Sequence, residues 1–265
     1  MFPLQTKSFP ATASELAQLM NESIRLVFSV GEDPVSIEAA TYPELRRIDI
    51  NLDGAELRPN PPRPPVAQGE RTAALQAREL HLSAKDLTLG PATADLRLTA
   101  HDVHFDQATD PDDEIVLVLQ SAAEGEIEVS SSKAALEKAL GDVAKREAAK
   151  QGVTIEEVTL VISNRGPRSL VGEVQLKARK LFFSTVVRIG ACLDLDDQLN
   201  ATLTGLACKG EGAIGTLACG VLSPHLQKLD GRTFPLMALP LGEIRLCDVR
   251  LSTGDRITVN AEFGA

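Results

Sequence analysis

Apolar and polar residues alternate with period two along much of this chain, and between Leu75 and Phe105 the alternation is broken in a regular way. A six-residue phrase recurs there: a small apolar residue, a basic or His residue, an acidic residue, then apolar-x-apolar. It reads Ala77-Arg-Glu-Leu-His-Leu82, Ala84-Lys-Asp-Leu-Thr-Leu89 and Ala100-His-Asp-Val-His-Phe105, and it returns as Ala178-Arg-Lys-Leu-Phe-Phe183 and Leu246-Cys-Asp-Val-Arg-Leu251. Alternation puts Leu80, Leu82 and Ala84 on one face of a strand, yet the next apolar residues, Leu87 and Leu89, lie an odd step away. Keeping all of them on one face requires two residues to oppose one on the neighbouring strand. That is a β-bulge, and bulges bend a sheet. The pattern predicts a long, strongly curved antiparallel sheet with an apolar concave face.

The rest of the chain supplies helices to lay against it. Ala13 to Ser23 has Leu16, Leu19 and Met20 at helical spacing after a Thr12 or Ser14 cap. Ile24 to Val30, Val35 to Ala39 and Leu45 to Leu57 read as strands, and Pro59 to Pro65 as a stiff surface loop with polyproline character. After an acidic loop from Asp106 to Glu114 come strands at Ile115 to Leu119 and Ile127 to Val129. Ser131 or Ser132 then caps a helix that runs to about Gln151, with an apolar stripe of Leu136, Ala139, Leu140 and Val143 and Gly152 as its stop. Hairpin strands follow at Ile155 to Ser163, Leu170 to Phe183, Val186 to Leu195 and Leu199 to Leu206. Gly210 to Gly231 is a further helix, with Ile214, Leu217, Ala218, Val221, Leu222, Leu226 and Leu229 on one face and a kink expected at Pro224. Ile244 to Leu251 and Ile257 to Phe263 close the chain as strands. The class is α+β, a single domain over 1–265, with residues 1–71 as an N-terminal helix and strand part ending in the Pro-rich loop and 72–265 as the main body.

Composition narrows the chemistry. Aromatic residues are 3% of the chain, with no Trp and one Tyr, so its apolar volume is aliphatic and suits an acyl chain better than stacking on bases or sugars. Net charge is −10, and it is unevenly spread: residues 1–130 hold 10 Lys+Arg against 22 Asp+Glu, residues 131–265 hold 17 against 15. No basic stripe is evident along the sequence, which argues against nucleic acid and against electrostatic docking on anionic lipid. Cys192, Cys208, Cys219 and Cys247 lack metal spacing and read as buried free thiols of a reducing compartment. With no targeting segment and no run of 18 apolar residues, the expectation is a soluble, cytoplasmic protein.

Candidate reactive residues are few. His101 and His104 are three apart on a strand and point to opposite faces, while Asp102, His104 and Asp106 share the polar outer face, so no metal site is expected. No GxSxG, GxGxxG, P-loop or HExxH occurs, and Ser223-Pro-His225 has neither an acidic orienter nor oxyanion donors. No catalytic residue and no cofactor is assigned. What stands out is apolar surface that either packs shut or lines a tube.

The bulged phrases, the passage Gly125-Glu-Ile-Glu-Val-Ser-Ser-Ser-Lys-Ala-Ala-Leu136 from strand into capped helix, and Leu239-Pro-Leu-Gly-Glu-Ile-Arg-Leu-Cys-Asp-Val-Arg-Leu251 resemble the bacterial LmeA-like phospholipid-binding proteins of the tubular lipid-binding (TULIP) superfamily, over roughly residues 72–265. The resemblance implies a curved sheet wrapped around two amphipathic helices, non-enzymatic binding or transport of a phospholipid or similar amphiphile between them, and transient membrane contact. The lining expected is Leu136, Leu140, Val143, Ile214, Leu217, Val221, Leu222 and Leu226, opposed by inward residues of the repeated strands. The alternatives are a structural or interaction module with a closed core, forming an oligomer through a sheet edge, and a lipid hydrolase built on His225 or the His101 to Asp106 cluster.

Overall fold

A computed structural model describes residues 1–31, 33–63, 65–150, 152–180, 183–196, 200–235 and 246–264. In chain order the elements are β1 (Phe2–Pro3), α1 (Ala13–Val27), β2 (Phe28–Ser29), β3 (Val35–Thr41), β4 (Glu44–Asn51), β5 (Glu56–Leu57), β6 (Gln68–Leu89), β7 (Ala92–Thr109), β8 (Ile115–Ser121), β9 (Glu124–Ser132) and α2 (Lys133–Ala149). There follow β10 (Thr154–Gly166), β11 (Ser169–Lys180), β12 (Phe183–Leu195), β13 (Asn200–Gly210), α3 (Gly212–Leu229), β14 (Arg232–Pro235), β15 (Leu246–Thr253) and β16 (Arg256–Gly264). The class is α+β, as the sequence indicates. The strands form two sheets rather than one.

The larger sheet has eleven strands in the order β15-β16-β9-β7-β6-β4-β3, with β8 also on β7 and β1 on β8, and β5 also on the far end of β6 and β2 on β5. It is mixed, because β4 and β5 run parallel to β6. Its spine is the β6–β7 hairpin, closed by Gly90-Pro91 with Gly90 at φ +64°, the left-handed start that a two-residue hairpin turn needs. The phase slips are present in it. Burial steps from Ala77 to Leu80, from Ala84 to Leu87 and from Ala100 to Val103, and the acidic residues Asp86 and Asp102 sit at φ +54° and +47°. A further slip carries Leu246 to Val249 in β15. The copy at Ala178 to Phe183 differs: Lys180 ends β11 and pairs with Phe183 at the start of β12, so this copy marks a hairpin rather than a mid-strand bulge, and Leu181 and Phe182 lie outside the described residues.

Chain length shows how far β6 must bend. Glu56 pairs with Thr88 near the end of β6, and the chain then returns to Gln68 at its start in twelve residues. Those residues reach at most about 43 Å at ~3.6 Å each. A straight strand from Gln68 to Thr88 would measure about 66 Å at ~3.3 Å per residue. The strand therefore curves, and the Pro-rich stretch is the crossover that joins its ends.

α1 is capped by Thr12, whose hydroxyl accepts from the Glu15 amide, while the Glu15 carboxylate accepts from the Ala11 amide. It extends four residues past Ser23, into a stretch whose alternation reads as a strand. Leu16, Met20 and Ile24, one turn apart, are all buried and continue the helical face, whereas Leu26 is exposed, so the strand of that region shrinks to Phe28–Ser29. These three residues are the helical members of the main core, packed with Leu45, Ile48, Ile50 and Leu80. The helix filling the larger sheet is thus α1. The pair expected there, α2 and α3, packs chiefly on the second sheet.

That second sheet is antiparallel, β10-β11-β12-β13-β14. One end joins the larger sheet: Leu170, Leu195 and Ala201 enter the main core, Asn164 donates to the Leu251 carbonyl at 2.7 Å, and Arg168 meets Asp248 at 2.6 Å. Among the described residues, none from the other end enters that core.

Candidate functional site

Register divides the second sheet into two unlike faces. Val158, Leu160 and Ile162 of β10 lie opposite Leu176, Val174 and Gly172 of β11, which lie opposite Val187, Ile189 and Ala191 of β12. The reverse face carries Thr159, Glu173, Gln175, Lys177 and Arg188. A sheet with one aliphatic face normally buries it. Here Leu160 and Val187 are buried, but Val158, Ile162, Val174, Leu176, Ile189 and Leu193 are only half-buried.

Two helices flank this face. α2 is capped by Ser132, whose Oγ accepts from the Ala135 amide, and ends before Gly152 at φ +66°. It lies along β10: a Cβ on Gly141 would stand 3.5 Å from Val158, and the Glu137 carboxylate accepts the edge amide of Leu160 at 2.7 Å. α3 lies on β12 and β13 at very short range, where a Cβ on Gly210 would fall 2.0 Å from the backbone of Gly215 and one on Gly215 would fall 2.6 Å from the Thr185 hydroxyl. A disulfide joins Cys208 of β13 to Cys219 of α3. β11 lies between the two helices.

This geometry redistributes the expected lining. At 100° per residue, Gly141 turns toward β10 and Leu136, Leu140 and Val143 turn more than 90° away from it; Leu140 and Val143 are 39% and 38% exposed. On α3, Leu222 and Leu226 share the sheet-facing stripe with Gly215 and Cys219 and are half-buried, Ile214 lies at its flank, and Leu217 is on the outer side at 72% exposure. The side chain of Val221 lies outside the described residues. The floor of the trough, strands β10 to β12, was not singled out from the sequence, although Val158-x-Leu160-x-Ile162 and Val174-x-Leu176 alternate cleanly.

The free-thiol reading is corrected for two of the four cysteines. Cys208 and Cys219 come within 5.4 Å, Cα to Cα, because α3 folds back over the strand that precedes it; Cys192 is half-buried and Cys247 exposed. Ser223 donates to the Cys219 carbonyl, satisfying its hydroxyl within the helix, and the His225 side chain lies outside the described residues. His101, Asp102 and His104 are exposed, and among the described residues no three His, Cys, Asp or Glu gather as a metal-holding group.

A second apolar space, about 270 Å³, lies in the larger sheet among Phe2, Leu80, Leu82, Leu98, Phe105 and Ile127. This is just below the range of about 300–1,000 Å³ usual for small-molecule pockets. A polar cleft near the Asp86 bulge is bridged by Arg256, which reaches Asp95 at 2.6 Å and Ser130 at 2.9 Å. Among the described residues, no helix is long and apolar enough to cross a membrane. No family model matches the chain, and no curated protein or solved structure was found similar to it.

Proposed function

We infer that the protein binds a phospholipid or similar amphiphile without transforming it, holding the acyl chain on the aliphatic face of the second sheet. The observation that carries this reading is that face itself, whose central side chains stay half-exposed between α2 and α3. Its composition supports a flexible hydrocarbon: the floor is Val, Leu, Ile and Ala, with no ring to stack on. Covering about 14 methylenes at ~0.8 kcal/mol each would stabilise the complex by about 11 kcal/mol before ordering costs. The alternative, a protein partner seated on the same face, is a separate outcome of the test below. The disulfide weighs against the cytoplasmic expectation, since such bonds persist in oxidising compartments.

Solvent extraction of the purified protein followed by mass spectrometry should recover a stoichiometric amphiphile. Val174→Asp, on the trough floor, should abolish it, and Gln175→Asp, one residue along on the polar face, should not. A well-folded protein that carries no lipid and takes up neither added fatty acid nor added phospholipid would refute the reading.

A further inference from the structure

The end of the second sheet opposite its joint with the larger one gathers features that are scattered in sequence. The last turns of α2, the β11–β12 hairpin, the end of β13 and the start of α3 converge there, as the pairings Thr154 with Arg179, Arg179 with Ser184 and Val187 with Gly210 require. The Thr185 hydroxyl donates to the Glu211 carbonyl at 2.9 Å, which fixes the hairpin beside α3.

Charge at this end is opposite in sign to that of the chain. Segments 145–157, 177–183 and 209–217 hold seven Lys and Arg against four Asp and Glu, a net of 7 − 4 = +3 within a chain of −10. Glu147 is engaged by Arg146 and Lys150, and Glu156 by Lys177 and Arg179. Lys145 and Lys209 are exposed and have no carboxylate partner among the described residues. Apolar side chains project from the same end: Phe183 is 61% exposed and Leu217 72% exposed. Exposed apolar groups ringed by cations suit an anionic bilayer surface, where the cations meet headgroups and the apolar groups enter the acyl boundary. The aliphatic trough begins at this end, with Ala178 and Thr185 on its face.

We propose that this end of the second sheet docks on anionic lipid bilayers, with Phe183 and Leu217 inserted and Lys145 and Lys209 on the headgroups. The amphiphile then passes between bilayer and trough without crossing water. The docking rests on the amphiphile-binding reading only for its purpose. Its residues and its test are separate.

The chain has no Trp, so Phe183→Trp introduces a single fluorophore at the contact. Val161→Trp, 56% exposed in mid-strand on the opposite face, is the control. With phosphatidylcholine vesicles containing phosphatidylglycerol, the emission of F183W should shift to the blue and that of V161W should not, and phosphatidylcholine alone should leave both unshifted. Lys145→Gln with Lys209→Gln should weaken vesicle binding about fivefold per lysine, about 25-fold together, and salt should weaken the original protein's binding. No shift in F183W, equal shifts in both probes, or unchanged binding by the double lysine variant would overturn the proposal. If F183W fails to shift while lipid is still extracted from the protein, the docking falls and the amphiphile-binding reading stands.

Discussion

Gly210→Ala is the substitution that most directly tests how α3 sits on the sheet. A Cβ at Gly210 would lie 2.0 Å from both the carbonyl carbon and oxygen of Gly215 and 2.6 Å from its Cα. Ordinary contact begins near 3.4 Å, so the two backbones must separate by about 3.4 − 2.0 = 1.4 Å. The obstructing atoms are main chain, so no side-chain rotation relieves the clash. The Cys208–Cys219 bond, on one side, and the Thr185 hydrogen bond to Glu211, on the other, resist the lift. Overpacking typically destabilises by about 1–3 kcal/mol, and a contact of this kind belongs at the upper end. At roughly 2–4 °C per kcal/mol, G210A should melt about 6–12 °C below the parent.

The control is the same substitution ten residues on. Gly220 lies inside α3, and a Cβ there would meet nothing within 4 Å. Alanine at an open helical position reduces backbone freedom in the unfolded chain, so Gly220→Ala should gain about 0.5–1 kcal/mol. Thermal and urea unfolding of the pair, followed by circular dichroism, should therefore give shifts of opposite sign. G210A within about 0.5 kcal/mol of the parent would refute the close approach of α3 to β13 and, with it, that flank of the trough.

Three more outcomes follow from the packing. Cys219→Ser opens a loop with a sequence separation of 11, which should reduce stability by about 3 kcal/mol in urea titrations, whereas Cys192→Ser should leave the midpoint unchanged; equal effects would discount the bond. Hydrogen bonds from Arg168, and then Arg250, hold the Asp248 carboxyl below its usual value near 3.8. This lowering contributes stability that is present above that value and is lost as pH falls through the folded pKa, so Asp248→Asn should weaken the joint between the sheets at neutral pH and flatten the acid limb below about pH 4; an unaltered profile would count against it. Between the buried Ala100 and Val103, Asp102 has φ +47°, where Val should cost about 1–2 kcal/mol and Gly almost nothing, and equal unfolding midpoints for the two variants would contradict the left-handed backbone there.

The bulged hairpin was legible because its cause is local. The three-residue step from Ala84 to Leu87 is written directly in which side chains must be inside, and Asp tolerates the left-handed conformation that the extra residue adopts. The end of α1 was not legible, since Ile24, Leu26, Phe28 and Val30 fit period two while Leu16, Met20 and Ile24 fit 3.6, and only burial decides. The division into two sheets was hidden for a different reason: every strand from β10 to β13 pairs with its sequence neighbour, and nothing in a hairpin series says where it detaches from the preceding sheet. The disulfide partners sit on a strand and on a helix, so their spacing follows no single period. The basic end was invisible because three segments, 145–157, 177–183 and 209–217, supply its charge.

The same aliphatic composition gives a deeply buried core in one sheet and a half-exposed face in the other, and the helices account for the difference. α1 presents Leu16, Met20 and Ile24 to the larger sheet, and each is at most 6% exposed. Side chains of that size hold a helix at a distance and fill the space beneath it. α2 and α3 instead turn small residues inward, Gly141 toward Val158, and Gly215 with Cys219 toward Gly210 and Cys208. Close approach brings their backbones down at the flanks of the sheet while Leu140, Val143 and Leu217 face away, and on α3 only Leu222 and Leu226, among the described residues of the expected lining, stay on the sheet-facing stripe. On α2 the stripe of Leu136, Leu140 and Val143 therefore does not mark the side that meets β10, because Gly141 on another side allows closer contact. The half-exposed floor of Val174, Leu176 and Ile189 is the consequence.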